Sequence, residues 1–351
     1  MAPRSTAQAL RACMTDPVAF AAECALAGEA AQDAASREAM VKDGVAELVR
    51  STARCSARGC RASVGPSHTQ RAQVCVWMCA HRKIAAVQAA GCRALRALGP
   101  EPYGAVSLGR AKTAAAGGLQ AIVAGMRVHA EDAVVAEAAC GALWFLARSP
   151  AVAGGPPGSA ALDAVVAALR VHATNAAVNE CGCGAVRNFF MLDSVAPLAA
   201  ATGALDAVIA ALRVHTRHRG VQEQACGALV NIAASRANAA LAVEGGAVEV
   251  LVATLTSAIN RPAVLLPACV ALFNVTYASP EASRLARGVG AASVLRELLA
   301  LYQQHGTHRA SEADAQVLRE AMLRVLHKVE APEPSRDERG IAPPRSSGHE
   351  R

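Results

Sequence analysis

Aromatic residues are scarce in this sequence, at 3% of 351 residues. A chain of this length can bury a sizeable core. With so few large rings, that core has to be filled by Ala, Val and Leu on helices that pack at close spacing. The scarcity therefore favours a helical protein with small buried side chains.

Outside one segment, the positive and negative charges balance in number. The formal net charge is +7, and seven Lys or Arg with no acidic residue lie between Arg50 and Lys83. Without these seven, 28 basic residues balance 28 acidic ones. Since a nucleic-acid-binding face needs a clustered excess of Lys and Arg, the balanced remainder predicts no specific nucleic-acid interface.

Motifs of catalysis, export and membrane insertion are also missing. The sequence has no phosphate-cradling Gly loop, no Gly-x-Ser-x-Gly and no His-Glu-x-x-His, so we expect no enzymatic activity, no metal and no cofactor. Met1 to Met14 lacks the apolar core of a secretory signal. The uncharged stretch from Pro262 to Pro280 approaches the length of a membrane span, but its polar residues and its register with other helices favour a buried helix.

A period of 43 residues organises the chain. Each copy carries a motif such as Cys226-Gly-Ala-Leu-Val-Asn231, and a period of this size is typical of a solenoid. Leu205, Val208 and Leu212, in a preceding segment of the repeat, have the spacing of a helical stripe. The repeated cysteines lie beside Ala and Leu, so we expect them to be small buried hydrophobes in a reducing compartment. They are Cys140, Cys183, Cys226 and Cys269.

The motif from Glu223 to Ala233, Glu-Gln-Ala-Cys-Gly-Ala-Leu-Val-Asn-Ile-Ala, resembles the third helix of the armadillo repeat. The resemblance covers about residues 16 to 329. The repeated motifs are similar to those of the tandem armadillo arrays of single-celled eukaryotes and of the armadillo region of leucine-rich-repeat kinases. It implies an all-α fold, a right-handed α-solenoid of armadillo repeats with three helices in each repeat of about 43 residues.

The sequence predicts a disordered N-terminus at 1–15, the solenoid at 16–329 and a disordered tail at 330–351. Within the solenoid we interpret 54–81 as a basic, Cys-rich insertion, because composition, charge and register all break there. It is a flexible loop, retained intron sequence or a zinc site. The zinc alternative has unusual ligand spacing and would use Cys55, Cys60, Cys75 and Cys79 with His68 and His81.

Armadillo proteins line a concave groove with the third helix, and the resemblance implies that a column of Asn side chains there holds the backbone of an extended peptide. In this sequence the column is Asn188, Asn231 and Asn274. The amide of Asn offers both a donor and an acceptor to a peptide group. The alternative is that each Asn bonds to the backbone of a neighbouring repeat.

Two further columns repeat every 43 residues. Glu137, Glu180 and Glu223, with Gln224 beside the last, lie eight residues before the Asn position. They are either first-turn carboxylates that favour a helix N-terminus or an acidic edge that selects a basic partner segment. The Arg-Val-His column is expected to complement helix dipoles, with a docking ridge as the alternative; its members are Arg127-Val-His129, Arg170-Val-His172 and Arg213-Val-His215.

We therefore expect a non-enzymatic scaffold or adaptor that binds a protein or extended peptide in the groove. We expect it to act as a monomer in the cytoplasm or nucleus, without a membrane span. An importin-like carrier that recognises a basic peptide is the alternative. The Trp that importins place one turn before the Asn is here Gly184, Gly227 or Val270, which removes the slots for lysine stems.

Overall fold

The computed structural model describes residues 68–97, 106–259, 261–278, 280–304 and 312–331. These residues form α-helices and one short 3-10 helix, with no strand among them. The expected disordered N-terminus, nearly all of the tail and residues 54–67 lie outside the described ranges. The all-α prediction is confirmed.

The helices follow one another in groups of two or three, which are the repeats. The third helix of each repeat is α2, α5, α8, α11, α14 or α17, and the second helix is the one before it. In chain order the helices are α1 (His68–Ala80), α2 (Ala85–Ala97), α3 (Val106–Ala115), α4 (Gly118–Val128), α5 (Ala133–Leu146), α6 (Pro150–Ala153), α7 (Gly155–Val171), α8 (Ala176–Phe189), α9 (Leu198–Thr202), α10 (Ala204–Val214), α11 (Arg219–Ile232), α12 (Arg236–Glu244), α13 (Ala247–Ser257), α14 (Pro262–Ala278), α15 (Pro280–Gly288), α16 (Ala291–Gln304) and α17 (Glu312–Glu330).

The buried core runs from repeat to repeat as one continuous cluster. The second helix α10 and the third helix α11 both bury more than half of their residues. Helix α10 buries Leu205, Val208 and Leu212, and the repeated cysteines on the third helices are fully buried. Third helices of neighbouring repeats also contact each other more extensively than second helices do. We infer that the stack curves with the third helices on its inner side, as in armadillo-like solenoids.

Glycine makes the turn into most second helices. Gly117, Gly203, Gly246 and Gly290 precede α4, α10, α13 and α16 and have φ of 83°, 70°, 80° and 82°. Other residues rarely adopt this left-handed conformation. The chain therefore turns by the same glycine step in four repeats, and this step aims each second helix onto the core.

The sequence predicts an insertion over residues 54–81. The described part of this segment is a helix that packs in the solenoid. Residues 68–80 form α1, and Val74 and Met78 on it are 1% exposed. Gln88 donates from Nε2 to the carbonyls of Met78 and His81, at 2.9 and 3.1 Å. Gln222 bonds in the same way to the end of the second helix α10.

Helix α1 therefore packs as the second helix of the first described repeat. The insertion over 54–81 stays a prediction, because residues 54–67 lie outside the described ranges. The chain lacks the repeat's usual Ala-Leu-Arg-Val-His wording at this point, and the distance from Cys92 to Cys140 exceeds the 43-residue period. Because of these two departures, the 43-residue period does not predict this helix.

Among the described residues, no single helix is both long and apolar enough to cross a membrane. The neighbouring helices α12 and α13 reach that length only as a pair, and they are bent by 80° relative to each other.

Candidate protein-binding groove

The third helices leave one narrow face uncovered on the inner side of the stack. On α11 and just after it, Glu223, Val230 and Ala234 are partly or fully exposed while Cys226 and Leu229 are buried. We call the positions three before and one, four and eight after the repeated cysteine the inner strip. The corresponding residues of the other repeats are Glu137, Gly141, Trp144 and Arg148; Glu180, Gly184, Arg187 and Met191; and Leu266, Val270, Phe273 and Tyr277.

The Asn column lies beside this strip and links each repeat to the preceding one. The Nδ2 of Asn188 donates to the carbonyl of Trp144 at 2.6 Å. Asn231 donates to the carbonyl of Arg187 at 2.7 Å, and Asn274 donates to that of Val230 at 3.0 Å. One N–H of each amide is therefore used within the solenoid, as the alternative interpretation predicts.

Parts of two of these amides remain available to a ligand. Asn188 is 6% exposed, whereas Asn231 and Asn274 are half-buried. Because an Asn amide has a second N–H and a carbonyl oxygen, Asn231 and Asn274 can still contact a peptide backbone. The peptide-binding role of the column stays a prediction.

In the repeat of α5, Phe145 takes the Asn position. The guanidinium of Arg110, from the first helix α3, lies 4.5 Å from the centre of the Phe145 ring. Arg110 is 7% exposed, and burial, with a smaller contribution from Arg148, lowers the pKa of Arg110. A cation–π contact thus replaces the amide bond at this end of the column.

Large side chains of the inner strip rest on glycines of the following repeat. The Trp144 indole covers Gly184, where an added Cβ would lie 2.5 Å from the ring. Arg187 covers Gly227, where the closest approach would be 2.8 Å, and Arg96 covers Gly141 at 3.0 Å. The glycines therefore leave room for large side chains of the preceding repeat, and we call these positions seats. The sequence alone identifies Gly184 and Gly227 only as residues that replace Trp.

Gln224 also takes part in one of these seats. The Nη1 of Arg187 donates to Oε1 of Gln224 at 3.3 Å, and Gln224 is 8% exposed. We infer that Gln224 holds Arg187 against the strip, which is a positioning role. The signal in the sequence is the pairing of a large residue with a glycine 40 positions later.

The glutamate column lies in the second turn of its helices and does not supply the helix starts. Glu137, Glu180 and Glu223 are each the fifth residue of their helix, and the first turns of α5, α8 and α11 contain no acidic residue. The starts are capped instead by side chains eight residues before each cysteine, which accept from the backbone of the first turn: Asp132, Asn175 and His218.

The first-turn explanation of the glutamates is therefore wrong, because the helices begin four residues before them. Glu180 lies over Gly220 of the next repeat, and its Oε2 is 3.9 Å from Nδ1 of His218. Because Nδ1 of His218 uses its lone pair to accept from the N–H of Val221, this contact is not an ion pair. Both side chains are exposed by more than a third, so the contact adds little stability. The acidic-edge interpretation remains as a prediction.

The inner strip carries both signs of charge at its centre. Cys181 on α8 is half-buried, and burial raises the pKa of its thiol to about 11. Arg96 acts on the same thiol in the opposite direction, while Glu137 and Glu180 add to the rise. Arginine and glutamate side chains from three repeats thus surround one point, and this region is not a uniformly acidic surface.

The Arg-Val-His column connects repeats and lies away from the inner strip. The Nε2 of His172 and of His215 lies 2.9 Å from the carbonyls of Ala130 and Ala173 in the preceding repeat. Arg213 donates to the carbonyl of Gly245 in the following repeat at 2.9 Å. Arg170 and Arg213 do lie in the last turns of their helices, and the column also joins each repeat to its neighbours. The effect on the helix dipoles and the docking ridge stay predictions.

The described residues include no group of three or more His, Cys, Asp or Glu side chains that could hold a metal ion. Of the candidate zinc ligands, Cys55 and Cys60 lie outside the described ranges. Cys75 is buried in the core of the first repeat, and burial raises the pKa of its thiol to about 11. Cys79 is exposed, so these two thiols face different surroundings.

Comparisons with known proteins concern the fold. No family model and no curated protein matches the sequence. An engineered protein is 22% identical, with a TM-score of 0.58 over 74% of this chain and 96% of that one. A structure from work on a conserved phosphorylation switch that controls the interaction between cadherin and beta-catenin is 16% identical, with a TM-score of 0.63 over 84% of this chain and 58% of that one.

At sequence identities this low, the two similarities show the fold of this chain and not its function. The second structure contains an armadillo protein, and the helical repeats of this chain superpose on it. The chain has the fold of an armadillo-like α-solenoid.

Proposed function

We propose that this chain is a non-enzymatic scaffold or adaptor that binds an extended segment of a partner protein along the inner strip. The observation that carries the proposal is the strip itself. Successive third helices present partly exposed side chains in register, and stacked repeats of this kind create extended concave surfaces that bind partners.

The shape of the strip supports an extended partner. Two surface cavities among the described residues, of about 600 and 430 Å³, are shallow and open. Neither encloses a small molecule in the way that most ligand pockets do. The half-buried amides of Asn231 and Asn274 can contact a peptide backbone, while exposed residues such as Met191 contact its side chains.

A carrier for basic peptides is the second candidate, and the glutamate column favours it. Two observations count against it. Arg96 and Arg187 lie among the glutamates, so a lysine-rich peptide would meet cations as well as acids. Trp144 is also the sole Trp of the described inner strips, so no array of slots for lysine stems is present there.

Photo-crosslinking from matched alanines tests the scaffold proposal. Ala234 belongs to the inner strip and Ala210 lies on the second helix α10; both are exposed. A crosslinking amino acid would replace each one in turn in the full chain, expressed in its native cell. We expect protein adducts from position 234 that are absent from position 210.

Equal adduct patterns at the two positions, or adducts from position 210 alone, would reject the inner strip as the binding surface. Melting temperatures of both variants check that the substitutions leave the solenoid folded.

A further inference from the structure

The inner strip changes character at α14, the third helix of the fifth described repeat. Where earlier repeats have Glu and Gly, α14 has Leu266 and Val270, followed by Phe273 and Tyr277. The helix contains no charged residue. A solenoid helix normally keeps a polar face toward solvent. Exposed apolar side chains on the inner face of α14 do not help the chain to fold, so they favour a binding role.

A shallow cleft lies between the exposed faces of α14 and the last helix, α17, which pack against each other. It has a volume of about 430 Å³ and is lined by Phe273, Tyr277, Leu323, Arg324, His327 and Lys328. We call it the terminal cleft. Its apolar wall is unusually open to solvent, because Tyr277 is 69% exposed and Leu323 is 53% exposed.

The aromatic wall of the terminal cleft is ordered by its own contacts. The rings of Phe273 and Tyr277 stack with centroids 5.7 Å apart and planes inclined by 30°. The ammonium group of Lys328 lies 5.3 Å from the centre of the Tyr277 ring. A flat apolar platform with a cation at its edge is therefore already in place.

The rim of the terminal cleft carries positive charge and no acid. Arg324 and Lys328 lie on α17 one turn apart, with His327 between them, and no carboxylate lines the cleft. Among the described residues, neither Arg324 nor Lys328 forms an ion pair with an acidic side chain. The nearby Glu330 pairs instead with Arg296 on α16.

We propose that the terminal cleft binds a segment of a partner protein in which a large apolar side chain adjoins acidic residues. The apolar side chain lies against Phe273, Tyr277 and Leu323, and the carboxylates meet Arg324 and Lys328. Aromatic anchors surrounded by complementary charge are the features that dominate binding at such sites. The inference rests on the proposed scaffold function and assigns the chemistry of the partner at one end of the inner strip.

Fluorescent model peptides provide the probe. One peptide has Phe and Leu flanked by glutamates; a second replaces the glutamates by lysines, and a third replaces Phe and Leu by serines. Binding to the full chain is followed by fluorescence polarisation at low and high salt. We expect measurable binding of the first peptide only, weakened by salt because the rim contacts are solvent-exposed.

Variants then locate the binding. Arg324→Gln with Lys328→Gln should weaken the acidic peptide by about tenfold, since it removes two exposed ion pairs. Tyr277→Ala should weaken it by a similar factor. The matched control, Arg219→Gln with Arg236→Gln, removes two exposed arginines elsewhere and should change affinity by less than about twofold at moderate salt.

Three results would overturn the inference. The first is equal binding of the glutamate and lysine peptides. The second is binding that the cleft variants leave unchanged. The third is an increase in affinity on deletion of 332–351, with a peptide of that sequence binding in the same variant-sensitive way; the occupant would then be the chain's own tail, which contains Glu333, Asp337 and Glu338.

The crosslinking result at position 234 separates this inference from the scaffold proposal. Adducts at position 234 without binding of the acidic peptide leave the scaffold standing and reject the terminal cleft. Binding of the peptide at the cleft without adducts at position 234 rejects the inner strip as a continuous surface and retains the cleft.

Discussion

At the scale of single residues, close contacts between repeats decide which side chain is tolerated. Glycine in a helix ordinarily costs about 0.5–1 kcal/mol relative to alanine. Gly184 and Gly227 sit in the middle of helices, where that cost is offset because they admit Trp144 and Arg187. The repeated cysteines likewise occupy positions where only a small apolar group fits the packed core.

The glycine seats predict an unusual order of alanine substitutions. Gly184→Ala should destabilise the chain by roughly 1–2 kcal/mol, because the added methyl overlaps the rigid indole of Trp144. Gly227→Ala should be closer to neutral, since the Arg187 chain can move aside. Gly288→Ala, where nothing lies within 4 Å, is the control and should be neutral or stabilising. Chemical denaturation measures all three; a stabilised Gly184→Ala variant would show that the seat does not constrain position 184.

The buried thiols predict a loss of stability at alkaline pH. Burial raises the pKa of Cys183 from 9.0 to about 12. The unfolded chain therefore releases this proton first, so the thiol's contribution is fully present below about pH 9 and is lost as the pH rises toward 12. Each pH unit in that window costs about 1.4 kcal/mol per thiol.

Cys183→Ala removes this dependence at one position. Whatever it costs at neutral pH, its deficit relative to the unsubstituted chain should shrink by about 1.4 kcal/mol between about pH 8 and pH 10. Val186→Ala, a truncation of another fully buried side chain on α8, should keep a constant deficit. Denaturation across this pH range measures both, and parallel curves for the two variants would mean that Cys183 ionises as easily in the folded chain as in the unfolded one.

At the scale of helices, the third helices α5, α8 and α11 each start at a side-chain cap, and Asn amides tie α8, α11 and α14 to the preceding third helix. Asn175 accepts from the backbone N–H of Ala177 and of Val178, both at 3.1 Å. The Asn column then joins α8, α11 and α14 to the preceding third helix. The inner strip is consequently held in register by contacts beneath it, which leaves Glu180 and Glu223 without a structural duty at the helix start.

The cap and the glutamate should therefore differ in cost. Asn175→Ala should destabilise the chain by about 1 kcal/mol, because two backbone donors lose their acceptor. Glu180→Gln should change stability by less than about 0.5 kcal/mol, as expected of a substitution on the surface. Thermal or chemical denaturation of both variants distinguishes them; a larger loss from Glu180→Gln would restore the glutamates as helix-start residues.

The third helices of the middle repeats could be predicted from sequence because Cys140, Cys183, Cys226 and Cys269 repeat with one period and one surrounding pattern. Helix α1 could not be predicted in this way, because it packs like a second helix but lacks the Ala-Leu-Arg-Val-His motif at the end of α7 and α10. The Trp144 and Arg187 seats also escaped prediction, since they depend on distances between repeats and not on local periodicity. The positions of the helix starts also could not be predicted, because the caps Asp132, Asn175 and His218 are three different residue types and form no repeated motif.

At the scale of the whole molecule, stability is spread over interfaces between adjacent repeats. The first described repeat consists of α1 and α2, and its core includes Met78 beneath Gly91. Loss of α1 would expose the buried face of α2, including Cys92 and Leu95. We therefore expect residues 68–81 to be required for the N-terminal end of the solenoid.

Two substitutions on α1 test this requirement. Met78→Ala truncates a side chain that is 1% exposed and should cost roughly 2–5 kcal/mol in the first repeat. Val76→Ala, on the same helix at 59% exposure, should cost less than about 0.5 kcal/mol. Hydrogen exchange of residues 85–97 reports the loss locally. Equal exchange in the two variants would indicate that α1 does not pack on the solenoid.

The central claim, that the inner strip binds a protein partner, is tested most directly by hydrogen exchange of the full chain with and without a partner purified on the unsubstituted protein. We predict slower exchange in α11 and α14, whose inner faces form the strip, and unchanged exchange in α10 and α13 behind them. Protection confined to α10 and α13, with α11 and α14 unaffected, would contradict the account and place the binding surface on the second helices.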